Sequence, residues 1–113
     1  MVIISITEDL FEEIEKTFKR DSDKVFDLID SLKENPHKGK ILGVIGEIVI
    51  KEIKYRNYRF YFITEGHKLK ILSEEDLTEL LLKFVRMSNK KHQQQTIFEI
   101  KDILIKIGPS GFT

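Results

Sequence analysis

A chain of 113 residues has room for one domain, residues 1–113, and a hydrophobic share of 41% is enough to fill one core. Nineteen basic residues balance nineteen acidic ones, so composition alone carries no nucleic-acid signal, and any polyanion site must come from where the charge sits. Cysteine is absent, which excludes disulfides, thiol catalysis and cysteine metal sites, and fits a reducing cytoplasm.

The opening MVIISITEDL lacks a basic n-region and a small-residue cleavage site, so Val2 to Ile6 reads as a first β-branched strand rather than a signal peptide. Thr7 is an N-cap, and Leu10, Phe11, Ile14 and Phe18 recur at helical spacing to about Lys19 or Arg20. Asp21 or Ser22 caps a second helix with Val25, Leu28, Ile29 and Leu32 as its stripe and Phe26 beside it; Asn35-Pro36 stops it. So few residues separate the two helices that they should form a hairpin.

The period then changes. Val44 to Tyr55 reads as one Ile- and Val-rich strand, Arg56-Asn57 as a tight turn, and Tyr58 to Thr64 as the return strand. After a turn at Glu65-Gly66, His67 to Leu72 alternates as a third strand. Ser73 to Asp76 is a polar break, its acidic cluster read as a solvated cap rather than paired catalytic carboxylates. Leu77 to Met87, LTELLLKFVRM, could be a helix or a buried strand by periodicity alone. Asn89 to Gln95 is a polar, basic loop, and Thr96 to Ile107 is a helix with Ile97, Ile100, Leu104 and Ile107 on one face. Gly108-Pro109-Ser110-Gly111 ends it, with a loose tail expected beyond. No stretch approaches the roughly 20 apolar residues that span a bilayer. The fold class is α+β: an N-terminal strand and helical hairpin packed on a twisted antiparallel sheet, with a C-terminal helix.

That order is similar to the RelE/ParE toxin superfamily, and three segments carry the resemblance. SLKENPHKGKILG resembles the family's helix end leading into the sheet. IKEIKYRNYRFYF resembles its central hairpin, a basic strand followed by Tyr-Arg and an aromatic run. LLLKFVRMSNKKHQQQTIFEI resembles its last strand and basic loop, with HigB-type features, and on that basis Leu80 to Met87 is taken as a strand. The chain departs from the family in its zero net charge, and in carrying His92-Gln93-Gln94-Gln95 where many members have a tyrosine.

The resemblance implies a toxin of a type II toxin-antitoxin system that cuts mRNA on the ribosome, bound in the cell by a cognate antitoxin. The implied chemistry is metal-free and needs no cofactor: a ribose 2′-hydroxyl attacks the adjacent phosphate, with cations stabilising the charge that builds there. Arg59, in the Tyr58-Arg59 motif, is the expected phosphate clamp, since arginine keeps its proton; the bland reading is a surface arginine paired with a glutamate. Arg86 follows LLLKFV, where a lone cation needs a partner or a ligand. Lys90, Lys91 and His92 complete the expected catalytic set. A lysine crowded by cations can serve as a base, and His92 could be acid or base, or only an exposed loop residue.

Lys51, Lys54, Arg56 and Tyr58 are the expected substrate contacts. Lys51 and Lys54 differ by an odd number of residues, which puts them on opposite faces of a regular strand unless a bulge intervenes. Tyr58 is the candidate for stacking on a base, while alternate members of Tyr55, Phe60, Tyr61 and Phe62 belong to the core. His37 and His67 fall in surface loops, and the three histidines have no metal-ligand spacing. The competing functions are a gyrase inhibitor, as in ParE members, and a non-catalytic interaction module. Apolar residues of 96–107 offer a docking face for an antitoxin if they do not simply pack on the sheet.

Overall fold

The computed structural model describes residues 1–71 and 79–113. Strand β1 (Val2–Ile6) leads into helices α1 (Glu8–Phe18) and α2 (Ser22–Asp30), then strands β2 (Lys40–Ile45), β3 (Ile48–Tyr55) and β4 (Tyr58–Glu65). A short helix α3 (Gly66–Ile71), strand β5 (Leu80–Asn89) and helix α4 (Gln93–Lys106) follow. The five strands form one sheet in the order β1-β5-β4-β3-β2. β2 to β5 pair antiparallel, the sense expected for the sheet, although β2 is a strand not foreseen, and β1 joins the edge parallel to β5, with Val2 opposite Leu80 and Ile6 opposite Phe84.

Strand alternation gives the sheet two apolar faces. On one, Ile53, Phe60, Phe62, Leu82, Phe84 and Met87 meet Leu10 and Ile14 of α1 and Val25 and Ile29 of α2. On the other, Ile50, Tyr61, Ile63 and Val85 meet Ile100 and Leu104 of α4 and Phe112 of the tail. Each fully buried Ile, Leu or Phe contributes roughly 1.5–3 kcal/mol. The α4 stripe therefore packs on the sheet. Ile107 does not take part; it is 67% exposed, as are Phe98 at 71% and Ile105 at 69% on the outer side.

Thr7 caps α1 as read, accepting the Leu10 amide at 3.4 Å. Asp21 precedes α2 but makes no side-chain cap bond, and instead pairs with Lys24 and Arg56. The Ser22 hydroxyl donates to the Ile14 carbonyl at 3.3 Å, tying the hairpin together.

Four expectations are corrected. The run Val44 to Tyr55 is two strands, split at Gly46-Glu47, where Gly46 takes φ +60°. Ile45 and Ile48 on either side pack against the same core, so apolar character continues through the turn and hides it. His67 to Leu72 is not a strand: Gly66 to Ile71 form α3, with Leu69 as its buried residue. The break at Ser73 to Asp76, and Leu72, lie outside the described residues. The basic loop is shorter than expected, because β5 runs to Asn89, Lys90–His92 form a single 3-10 turn and α4 starts at Gln93. The tail is not loose either: Phe112 is 5% exposed and the Thr113 carbonyl accepts the Asp9 amide at 2.9 Å.

Candidate functional site

The α4 face of the sheet turns polar where the first turn of α4 crosses it. Sheet register aligns Lys54, Arg59 and Ser88 in one row and Glu52 and Tyr61 in the next, all on this face. The Tyr61 hydroxyl and Ser88 Oγ share a hydrogen bond of 2.8 Å. Gln93, the first residue of α4, donates from Nε2 to Glu52 Oε2 at 3.3 Å. Arg59 reaches back with Nη1 to the Asn57 carbonyl at 3.5 Å. Glu52 and Arg59 are 2% and 8% exposed, and Glu52 Oε1 and Arg59 Nε have no hydrogen-bond partner among the described residues.

A buried polar atom left without a partner costs about 1–3 kcal/mol, more when charged, so two on one face of the sheet make that face the candidate site. Tyr61 senses both charges. Burial raises its phenol pKa most; the Ser88 bond lowers it, Glu52 raises it and Arg59 lowers it. The rise keeps the phenol in its protonated form, bonded to Ser88.

His92 immediately precedes Gln93 and is exposed. Its backbone amide and its Nδ1 both lie 3.0 Å from Asn89 Oδ1. A carboxamide oxygen can only accept, so Nδ1 carries hydrogen and Nε2 is the nitrogen that faces outward for proton exchange. Lys90 and Lys91 are exposed on the same turn.

The other expected residues lie elsewhere. Lys51, as its parity requires, is on the opposite face: its ammonium donates to the His37 carbonyl at 3.0 Å and sits 5.8 Å from the Phe62 ring centre. Burial pushes its pKa down. Arg56, at φ +55° in the β3–β4 turn, pairs with Asp21 at 3.6 Å and lies over the Tyr55 ring. Tyr58 meets Phe18 edge-on at 5.0 Å, on the hairpin side of the sheet. Only Lys54 of the expected substrate contacts stands in the polar rows, exposed and opposite Arg59.

Arg86 is spoken for. The register shifts between Tyr61 and Phe62, leaving Val85 as an extra residue in β5. Arg86 Nε donates to Glu99 Oε1 of α4 at 2.8 Å, Nη1 to the Val85 carbonyl at 2.7 Å, and the guanidinium stacks 5.2 Å from Phe112. Glu13 of α1 feels the same arginine: burial raises its pKa most, with Arg86 opposing and Glu99 adding to the rise. Arg86 thus ties α4 and the tail to β5, while Arg59 keeps its unpartnered nitrogen.

Sequence reading missed Glu52, Asn89 and Gln93. Glu52 had a usable signal: it is a carboxylate between Ile50 and Ile53 at an even offset from Lys54, so it shares that lysine's face. Asn89 and Gln93 had none, since each matters only through the residue it touches. Among the described residues, no three His, Cys, Asp or Glu side chains converge as a metal site, and no helix is long and apolar enough to cross a membrane.

The fold is that of the RelE toxin. The isolated RelE toxin of E. coli superposes with a TM-score of 0.52 over 87% of this chain and 97% of that one, at 13% sequence identity. No family model and no curated protein matches the sequence.

Proposed function

We propose that this RelE-fold protein is the toxin of a toxin-antitoxin pair and a metal-independent endoribonuclease acting on mRNA at the ribosome. The observation that carries the reading is the buried Glu52–Arg59 pair with its two unpartnered atoms, one anionic acceptor and one cationic donor. RNA transesterification calls for that combination.

Glu52, whose Oε1 is shielded from solvent at rest, turns its carboxylate out from under Gln93 and takes the proton of a ribose 2′-hydroxyl. The 2′-oxygen attacks the adjacent phosphorus and the bond to the 5′-oxygen breaks. Arg59 holds the phosphate oxygens as negative charge builds on them, with Lys54 as a second cation at the rim. His92 in its imidazolium form, with Nδ1–H held by Asn89, delivers its Nε2 proton to the leaving 5′-oxygen and is left neutral, and solvent then carries the proton from Glu52 back to His92. The products are a 2′,3′-cyclic phosphate and a 5′-hydroxyl, and every proton is accounted for. Lys90 and Lys91 attract the polyanion to the turn that carries His92.

Adding the protein to a cell-free translation reaction and mapping mRNA 5′ ends by primer extension tests the reading. New ends in ribosome-bound message are expected for the wild type and not for Arg59→Ala. Translation that proceeds unaffected would sink it, and inhibition of gyrase supercoiling in its place would favour a binding-only toxin.

A further inference from the structure

Glu52 rests where it cannot reach a substrate. It is 2% exposed, its Oε1 is shielded from solvent with no hydrogen-bond partner among the described residues, and its Oε2 accepts from Gln93 Nε2 at 3.3 Å. A charge-assisted N–H···O bond usually spans about 2.7–2.9 Å, so this one is weak. A carboxylate with one long bond and one empty oxygen loses little on leaving its place.

The two partners differ in how firmly they are held. Glu52 lies inside the sheet, opposite Lys40 of β2 and Tyr61 of β4, so its backbone is fixed on both sides. Gln93 opens α4 and is half-buried, and His92 before it gives the helix no side-chain cap. Ile100 and Leu104 anchor the helix to the sheet farther along. The Gln93 side chain can therefore swing aside while α4 keeps its seat. Gln94 and Gln95 are exposed, so of the three consecutive glutamines only Gln93 is turned toward the sheet.

We infer that Gln93 is an autoinhibitory latch: its side-chain amide keeps Glu52 covered in the free protein and lets go when RNA binds beside the 90–92 turn. This rests on the ribonuclease reading above and adds the regulation of its site. Gln93 touches no reacting atom and is a positioning residue that acts through Glu52. RNA favours the uncovered state because only there can a ribose hydroxyl bond to the carboxylate, and a ligand shifts an equilibrium by such a difference in affinity. The covered population then weakens binding rather than slowing the chemical step. One hydrogen bond is worth roughly two- to tenfold in such an equilibrium.

The test reads Glu52 directly in the full chain without RNA. Carboxylates are coupled to glycinamide with a carbodiimide, and peptide mass spectrometry compares the rate at Glu52 with that at exposed Glu34. Gln93→Met, which keeps length and loses the donor, is expected to raise Glu52 coupling about threefold or more. Gln93→Arg, which keeps a donor, and Gln94→Ala should stay within about twofold of wild type. With mRNA-programmed ribosomes, Gln93→Met is expected to lower the half-saturating concentration about two- to tenfold at an unchanged maximal cleavage rate. Unchanged coupling in Gln93→Met, an equal rise in Gln94→Ala, or a fall in the maximal rate would each overturn the latch. So would faster amide exchange through 97–104, which would mean that α4 had loosened as a whole. Unchanged coupling with cleavage by the wild type removes the latch and leaves the ribonuclease. The expected rise in coupling with no cleavage by wild type or variant keeps the cover on Glu52 and removes the ribonuclease together with its RNA trigger.

Discussion

Gln93 donates to Glu52 across 41 residues of sequence, joining the first turn of α4 to the middle of the sheet. The bond satisfies one carboxylate oxygen, while the other, shielded from solvent, has no hydrogen-bond partner among the described residues. The helix that closes the second apolar face thereby also shapes the polar end of that face. Function and packing meet in one hydrogen bond, and they can be separated by substitution.

Glu52→Gln keeps shape and the possibility of a bond to Gln93, and removes the buried charge. Cleavage should fall at least a hundredfold, on the order of the effect of losing a general base. Urea unfolding should show stability retained or raised by up to about 1 kcal/mol, since an unsatisfied buried anion opposes folding. A large loss of stability would mean that Glu52 is a structural residue.

Arg59 and Arg86 should separate in the same cleavage assay. Arg59→Ala is expected to cost at least a hundredfold, about 2.7 kcal/mol, as for the loss of one preorganised donor to a developing anion. Arg86→Ala should cost less than tenfold in rate but lower the melting temperature, because it loses Phe112, Glu99 and the Val85 carbonyl together. Its pair with Glu99 is half-exposed on the glutamate side, so a double-mutant cycle should return about 1 kcal/mol or less. A stable Arg86→Ala protein as inactive as Arg59→Ala would return Arg86 to the site.

Asn89 acts through His92. Asn89→Ala removes the acceptor that holds Nδ1 and one end of the 3-10 turn. Cleavage should fall roughly tenfold or more, in line with the loss of a group orienting a catalytic imidazole. Asn89→Asp, which keeps an acceptor oxygen, should recover most of the rate, and His92→Gln should make the further loss at Asn89 small. Independent, multiplying losses at the two positions would argue against the coupling.

Lys51 makes stability depend on pH. Burial lowers its folded pKa below the ordinary value of 10.5, so the unfolded chain holds the proton more tightly. The ammonium form therefore opposes folding below the lowered value, and stability contributed by this group rises as pH climbs from there toward 10.5. Lys51→Met should stabilise the protein at pH 7 by on the order of 1 kcal/mol and remove that alkaline gain. Thermal melts of both proteins between pH 7 and 10 measure it, and parallel curves would rule it out.

Local signals were enough for most of the fold. Thr7 with the apolar stripe of α1, Asn35-Pro36, the Arg56-Asn57 turn and the alternation in Tyr58 to Thr64 all act within a few residues, and all are seen in the structure. Parity alone separated Lys51 from Lys54. The failures share a cause. Gly46-Glu47 turns inside an apolar run because Ile45 and Ile48 on either side both pack against the core, and Gly66–Ile71 are helical where alternation favoured a strand.

The order of residues along the chain was thus sufficient for most of the elements and for marking Tyr58-Arg59 and the 90–92 turn as basic features, whereas the second apolar face of the sheet was seen only in the structure. Membership of the site came from the packed fold. Arg59 keeps an unpartnered nitrogen on a face built by three strands, whereas Arg86 is engaged by the Val85 carbonyl at the bulge and by Glu99 of α4. The difference is one of range. Capping, turn geometry and side-chain alternation are properties of neighbouring residues, whereas the pairing of a buried charge depends on groups dozens of residues away in the chain.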